Sequence, residues 1–308
     1  MKGAVPLHPF SYVAPTTVDA VTSVLTDHGK RARPIVGGTD LLVQVRGGRF
    51  ELDAVVDIKN LSETNVLDVR DGILRLGAAV PFHRVYENEE IRQQFPGLID
   101  AAELVGGIQI QSRASFGGNL CNATPSGDTI CPLIVYKAEA VIVDATGQSD
   151  PCEWFDDAVS VRTEPVENFC TGPGKTVMSD GEWLIELRIP VPPKNFSAAY
   201  ERFIPRNEMD IAVAGVASSV QLDDEGNIAA ARVALASVAP IPLLVSDAGE
   251  SLIGKPPTTE NFTAAGDIAG LAARPISDMR GTSEQRVHLV RVLTRRTLEL
   301  AAQRAQEA

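Results

Sequence analysis

Residues 113–129 read RASFGGNLCNATPSGDT: two adjacent glycines, Gly117 and Gly118, then small and polar residues ending at Asp128 and Thr129. Upstream, residues 34–48 read PIVGGTDLLVQVRGG, with Gly37 and Gly38 followed by Thr39 and Asp40. Glycine has no Cβ, so a Gly-Gly turn after a buried strand lets backbone approach a ligand closely. Successive N–H groups at such a turn form an anion-binding concavity. Two of these turns can hold the two phosphates of a dinucleotide from opposite sides, although two ordinary tight turns would show the same spacing.

The segments around these turns set the expected architecture. Residues 14–29, APTTVDAVTSVLTDHG, read as a helix capped by Thr16 or Thr17, with Val18, Val21, Val24 and Leu25 on one face and Gly29 as the stop. RPIVGG is a short strand into the first glycine pair, and AVVDIKN (residues 54–60) is the next strand, which reads as a compact β–turn–β opening. VLDVRDGILRLGAAV is a hairpin turning at Asp71-Gly72. Pro81 opens a helical region, GLIDAAELVG is a further helix, and DTICPLIVYKA is a helix apolar on most sides. AEAVIVDATG is a strand. The chain from Thr163 reads as loop until a strand at Trp183–Ile189, and Pro190, Pro192 and Pro193 mark a boundary. Beyond it, AAYERFIPR, IAVAGVASSVQL and IAAARVALASVA form an antiparallel meander. Two helices follow, over Glu260–Ala273 and Glu284–Ala305. Blocks of strands and helices, rather than strict βαβ alternation, point to an α+β fold.

Composition narrows the function. A net charge of −12 argues against a general nucleic-acid binder, which needs a basic surface. No run reaches the roughly eighteen apolar residues of a membrane helix, the N-terminus shows no signal peptide, and a cytoplasmic protein is expected. Cys121, Cys131, Cys152 and Cys170 lack C-x-x-C spacing, and His8, His28, His83 and His288 are scattered, so no metal site is expected. There is no G-x-G-x-x-G. The TGPGKT segment (residues 171–176) superficially resembles a P-loop, but Phe169 stands where that motif requires a glycine.

Five segments in order carry a family resemblance: VGGTDLL, RASFGGNLCNATPSGDT, FCTGPGKTVMSDGEWLIELRIP, YERFIPRNEMDIA and PISDMRGTSEQRVHLVRVLTRRTL. Together they resemble the FAD-binding medium subunit of the molybdenum hydroxylases, the family of xanthine dehydrogenase, CO dehydrogenase and N-heterocycle dehydrogenases. The resemblance implies a p-cresol methylhydroxylase-type FAD-binding fold of two subdomains (residues 1–60 and 61–190). A C-terminal α+β domain of the CO dehydrogenase flavoprotein type (195–308) covers the flavin. It implies that Val36, Gly37, Gly38, Thr39, Asp40 and Leu41 form the first pyrophosphate loop, and Ala114, Ser115, Gly117, Gly118 and Asn119 the second. By the same resemblance Asp128 accepts hydrogen bonds from the cofactor, Trp183 and Leu184 lie beside the flavin ring, and Arg202 lies near its pyrimidine edge. From the residues alone, Asp128 also suits a helix N-cap, Trp183 core packing and Arg202 a surface salt bridge.

What the resemblance implies for function is an electron-transfer subunit. It takes electrons from the [2Fe–2S] clusters of a small subunit and passes them to NAD or another acceptor. A large molybdopterin subunit hydroxylates the substrate, and the assembly is a dimer of heterotrimers. The alternative is a self-sufficient FAD-dependent oxidase or reductase of the same fold. Two departures bear on the subgroup: Ser115-Phe116 stands where the family commonly has Thr-Ile, and no cysteine-rich insertion is present. Asp40 after the glycines argues against the CO-oxidising branch.

Overall fold

The computed structural model describes residues 8–149, 152–155, 159–206 and 208–307. Residues 1–7, part of the stretch read as lacking a signal peptide, and Asn207 of the fourth motif lie outside them. The first layer is a three-stranded sheet of β1 (Ser11–Val13), β2 (Ala32–Ile35) and β3 (Ala54–Asp57), in the order β1-β3-β2. Both pairings are parallel. The expected β–turn–β opening is therefore corrected: α2 (Leu41–Arg46) crosses over between β2 and β3, because adjacent parallel strands cannot be joined by a tight turn. α1 (Val18–His28) forms as read, with Thr17 Oγ1 accepting from the Ala20 amide, Val18, Val21 and Leu25 buried, and Gly29 ending it at φ +51°.

The second layer is a five-stranded antiparallel sheet in the order β4-β5-β10-β6-β7. β4 (Leu67–Arg70) and β5 (Ile73–Gly77) are the expected hairpin. Asp71 and Gly72 both take positive φ, the tight-turn geometry that matches strand twist. Short helices follow: α3 (Phe82–Tyr86), α4 (Glu89–Gln94), α5 (Pro96–Ala102), α6 (Ile108–Gln111), α7 (Phe116–Asn122) and α8 (Ile130–Val135). β6 (Glu139–Val143) completes the sheet's centre with β10 (Trp183–Pro190), whose register shifts between Leu184 and Glu186. The segment read as loop contains β7 (Val161–Pro165), α9 (Val166–Phe169) and a small hairpin, β8 (Cys170–Gly172) with β9 (Lys175–Thr176). These elements are too short to show a period, and Pro165, Gly172, Pro173 and Gly174 mask them.

The third layer is the antiparallel meander β11 (Phe196–Phe203), β12 (Ala214–Leu222), β13 (Ile228–Ala236) and β14 (Leu243–Leu244). α10 (Ser246–Glu250), α11 (Thr259–Ala272) and α12 (Ser283–Glu307) follow it. α11 and α12 share one apolar core with this sheet through Val216, Val220, Phe262, Leu293 and Leu298. Ala198, Tyr200, Ala217 and Ala234 instead join the core built on α5, α7 and α8. Covered on both faces, β12 is buried at almost every position, and its sequence, AGVASSVQL, is accordingly rich in small residues and shows no strict apolar–polar alternation. No helix among the described residues is long and apolar enough to cross a membrane.

Candidate cofactor site

Between the first two layers lies a cavity of about 750 Å³, within the range of small-molecule sites. The loop from β2 into α2 brings Val36, Gly37, Gly38, Thr39, Asp40 and Leu41 to its wall. The entrance to α7 brings Ala114, Ser115, Gly117, Gly118 and Asn119, and the start of β10 brings Trp183 and Leu184. Thirteen of the fifteen residues singled out from the sequence thus border one space.

The glycines do different work. A Cβ on Gly37 would overlap the backbone carbonyl of Arg113, so this glycine lets the two loops touch. A Cβ on Gly117 would come within 2.7 Å of Ala78 Cα, which locks α7 onto the end of β5. Gly38 holds φ +70°, a conformation disfavoured for residues with a Cβ. At Gly118 a Cβ would meet only Ser115 Oγ at 3.1 Å and otherwise face the cavity. No acceptor among the described residues meets the amides of Gly37, Gly38, Thr39, Asp40 and Leu41, nor those of Phe116 and Gly117. Phe116 and Gly117 are buried, Gly37–Thr39 and Leu41 are half-buried and Asp40 is exposed. Both runs open a helix, whose first amides have no intrahelical acceptor, so two runs of free N–H groups, with a glycine face left open beside them, fit the pyrophosphate of a dinucleotide.

Side chains brace these loops. Ser115 Oγ donates to Ala78 O at 2.7 Å and accepts from the Gly118 amide at 3.0 Å, capping α7. Asn119 Oδ1 accepts from Thr129 Oγ1 at 2.9 Å. Trp183 is fully buried and donates from Nε1 to Thr22 Oγ1 at 3.1 Å, so its core-packing role and its place on the cavity wall coincide. Leu184 sits where the β10 register shifts, an irregularity that re-aims side chains beside sites.

Asp128 and Arg202 are not on the cavity wall; they are each other's partners. Arg202 Nη1 donates to Asp128 Oδ2 at 2.6 Å, Tyr200 OH donates to Oδ1 at 2.6 Å, and Arg202 Nη2 donates to Leu104 O at 2.6 Å. All three side chains are buried, so the expectation of a surface salt bridge at Arg202 is corrected. Burial pushes the Asp128 carboxyl up, against the pull of Arg202 and Tyr200. The N-cap of α8 is Thr129, not Asp128, and it makes no side-chain cap bond. Leu104 immediately precedes Val105, which does line the cavity, so the trio stands directly behind that wall. Asp210 pairs with Arg280 at 2.5 Å and lies 3.7 Å from Arg206.

The sequence reading missed a cationic patch on the cavity wall. Arg33 and Arg49 both stack on Phe50, with guanidinium carbons 3.9 and 5.4 Å from the ring centroid, and neither has a carboxylate partner among the described residues. Burial, then the neighbouring Arg49 charge, lowers the Arg33 pKa. The hairpin β8–β9 carries Gly174 and Lys175 to the same wall, so TGPGKT faces the site without being a P-loop. Aromatic-stacked arginines separated by a whole helix give no contiguous motif. Cys121 also borders the cavity, but its surroundings push the thiol up to about 12. No cluster of His, Cys, Asp and Glu able to hold a metal occurs among the described residues.

Comparison with known proteins supplies the family. Residues 8–192 match the model of the FAD binding domain in molybdopterin dehydrogenase, and residues 198–301 that of the CO dehydrogenase flavoprotein C-terminal domain. The chain is 31% identical to the xanthine dehydrogenase FAD-binding subunit of Escherichia coli O157:H7 over 290 residues, 94% of each chain. It is 26% identical to the carbon monoxide dehydrogenase medium chain of Hydrogenophaga pseudoflava over 95% of this chain and 96% of that one. Among solved structures, a CO dehydrogenase chain from Oligotropha carboxidovorans superposes with a TM-score of 0.88 at 25% identity, covering 96% of this chain and 98% of that one.

Proposed function

The chain belongs to the family of FAD-binding subunits of molybdopterin dehydrogenases, and from that premise we propose that it is the electron-transfer subunit of a heteromeric molybdenum hydroxylase. In this reading it takes electrons from [2Fe–2S] clusters of a small subunit and delivers them to NAD or another acceptor, while a molybdopterin-binding large subunit hydroxylates the substrate. The relative from H. pseudoflava is itself a medium chain, which supports an assembly with larger and smaller companions; a dimer of heterotrimers in the cytoplasm is the arrangement we assign. The proposed division is residues 1–60 and 61–190 around the cofactor and 195–308 covering the flavin.

The observation that carries this reading is the pair of free amide runs facing one cavity. FAD, when bound, supplies the ability to accept electrons singly or in pairs and pass them on. The chain's residues supply the rest. The amides of Gly37–Leu41 and of Phe116 and Gly117 hold the pyrophosphate without placing a formal cation against it. Val105, Ile110, Trp183 and Leu184 offer an apolar end for the isoalloxazine, and Arg33, Arg49 and Phe50 a cationic, aromatic end for the adenylate half. Arg202, behind the Leu104–Val105 wall, adds positive potential on the flavin side.

The test is cofactor retention in paired glycine variants. The wild-type chain releases FAD on denaturation. Gly118→Val folds and loses FAD, because its side chain enters open cavity. Gly117→Ala instead lowers stability by about 1–3 kcal/mol, the cost of overpacking against Ala78. Full FAD occupancy in Gly118→Val would place the pyrophosphate elsewhere.

A further inference from the structure

The first glycine loop is held from behind by a residue outside the cavity wall. Lys59, just past β3, donates from Nζ to Asp57 Oδ1 at 2.7 Å and to the carbonyl oxygen of Val36 at 3.1 Å. Asp57 is 4% exposed and also accepts from the Lys59 amide at 2.9 Å and from the Tyr12 hydroxyl. The ammonium is therefore pinned by a buried carboxylate that has no other cation among the described residues. Val36 and Gly37 border the cavity, whereas Lys59 and Asp57 do not.

A trans peptide is planar, and its C=O and N–H point to opposite edges. The Val36–Gly37 bond is trans, so the bond that turns Val36 O toward Lys59 turns Gly37 N–H the other way. Gly37 N–H has no acceptor among the described residues. Among the described residues the only donor that Val36 O meets is Lys59 Nζ, and a flip of this peptide moves ψ of Val36 between two allowed regions and changes φ of Gly37, which has no Cβ to restrict it. The loop thus needs an external holder. We propose that Lys59 is a positioning residue which, through the carbonyl of Val36, aims the Gly37 amide at the FAD pyrophosphate. The inference rests on the FAD reading above and adds a residue to it. Lys59 itself touches no cofactor; the Tyr12–Asp57–Lys59 chain acts only through the peptide it orients.

The experiment is reconstitution of the full-length apoprotein with FAD, read by dissociation constant and by 31P NMR of the bound pyrophosphate. Lys59→Met is expected to weaken FAD binding about 10-fold, the scale of one charge-assisted hydrogen bond, and to shift a phosphorus resonance. Lys59→Arg, which keeps a cation within reach of both oxygens, restores the affinity. Weaker binding with unmoved phosphorus resonances would mark a merely structural role and overturn the proposal, as would unchanged binding or a Lys59→Arg no better than Lys59→Met. If Lys59→Met does not fold, Asp57→Asn takes its place; its single oxygen can still accept from the Lys59 amide while the Tyr12 hydroxyl turns to accept from the new NH2, the charge that pins the ammonium is gone, and the same two changes are expected, their absence overturning the proposal. A wild-type chain that binds no FAD would instead sink the FAD reading, a result separable from any effect at Lys59.

Discussion

Replacing Arg202 by alanine leaves Asp128 buried with Tyr200 as its remaining partner. Removing one member of a buried ion pair costs about 3–5 kcal/mol, so Arg202→Ala is expected to melt at a clearly lower temperature. If Arg202 also biases the flavin as proposed, the variant's flavin potential falls while FAD stays bound; an unmoved potential with the same loss of stability would confine Arg202 to the buried trio. At this scale the sequence supplied residue types but not partners. Asp128 and Arg202 are separated along the chain by most of the second layer, and only packing of β11 against α8 makes each the counter-ion of the other. Arg33 escaped notice for the same reason: Phe50, on which it stacks, lies across the crossover helix α2, and Arg49, next to Phe50 in sequence, meets Arg33 only over that ring.

The short helices α2 and α7 matter for where they start. Ser115 joins two elements through one hydroxyl: it caps α7 by accepting from the Gly118 amide and donates to the carbonyl of Ala78, just past β5. Loss of such a cap costs about 1 kcal/mol, so Ser115→Ala is expected to lower the unfolding free energy by that order in denaturant titration. It is also expected to weaken FAD binding, since α7 presents the second loop. Element existence was legible where the pattern was long or sharply punctuated: α1 with its Thr17 cap, the Asp71-Gly72 hairpin, the meander around the turn before β13. It was not legible in β1, β7 and the β8–β9 hairpin, each short and paired with distant chain. Nor did local sequence disclose that β2 and β3 run parallel, because direction is a property of the connection, not of either strand.

Taken as a whole, the molecule places several carboxyls below their ordinary range. Asp57 is held there by Lys59 and Tyr12 against its own burial, Asp210 by Arg280, and Asp278 by the Arg280 amide and then Arg286. A depressed folded pKa adds stability above the unfolded value, about pH 4, and that stability is lost as pH falls through the folded value. Asp128, pushed up by burial, contributes with the opposite sign. The melting temperature followed by circular dichroism should therefore drop steeply below about pH 4, and Asp57→Asn should flatten the drop. A melting temperature that is flat across this range would contradict the assignment.

By itself the sequence determined the fold class and the two glycine loops, since turn chemistry and apolar spacing are local and the five segments occur in the family's order. It also determined which residue types stand ready for a dinucleotide. Tertiary structure alone decided that the loops face one cavity, that Gly37 and Gly117 serve contact while Gly118 serves open space, and that Asp128 answers Arg202. Those outcomes depend on which distant segments pack together, and burial, pairing and amide direction are fixed only when they do.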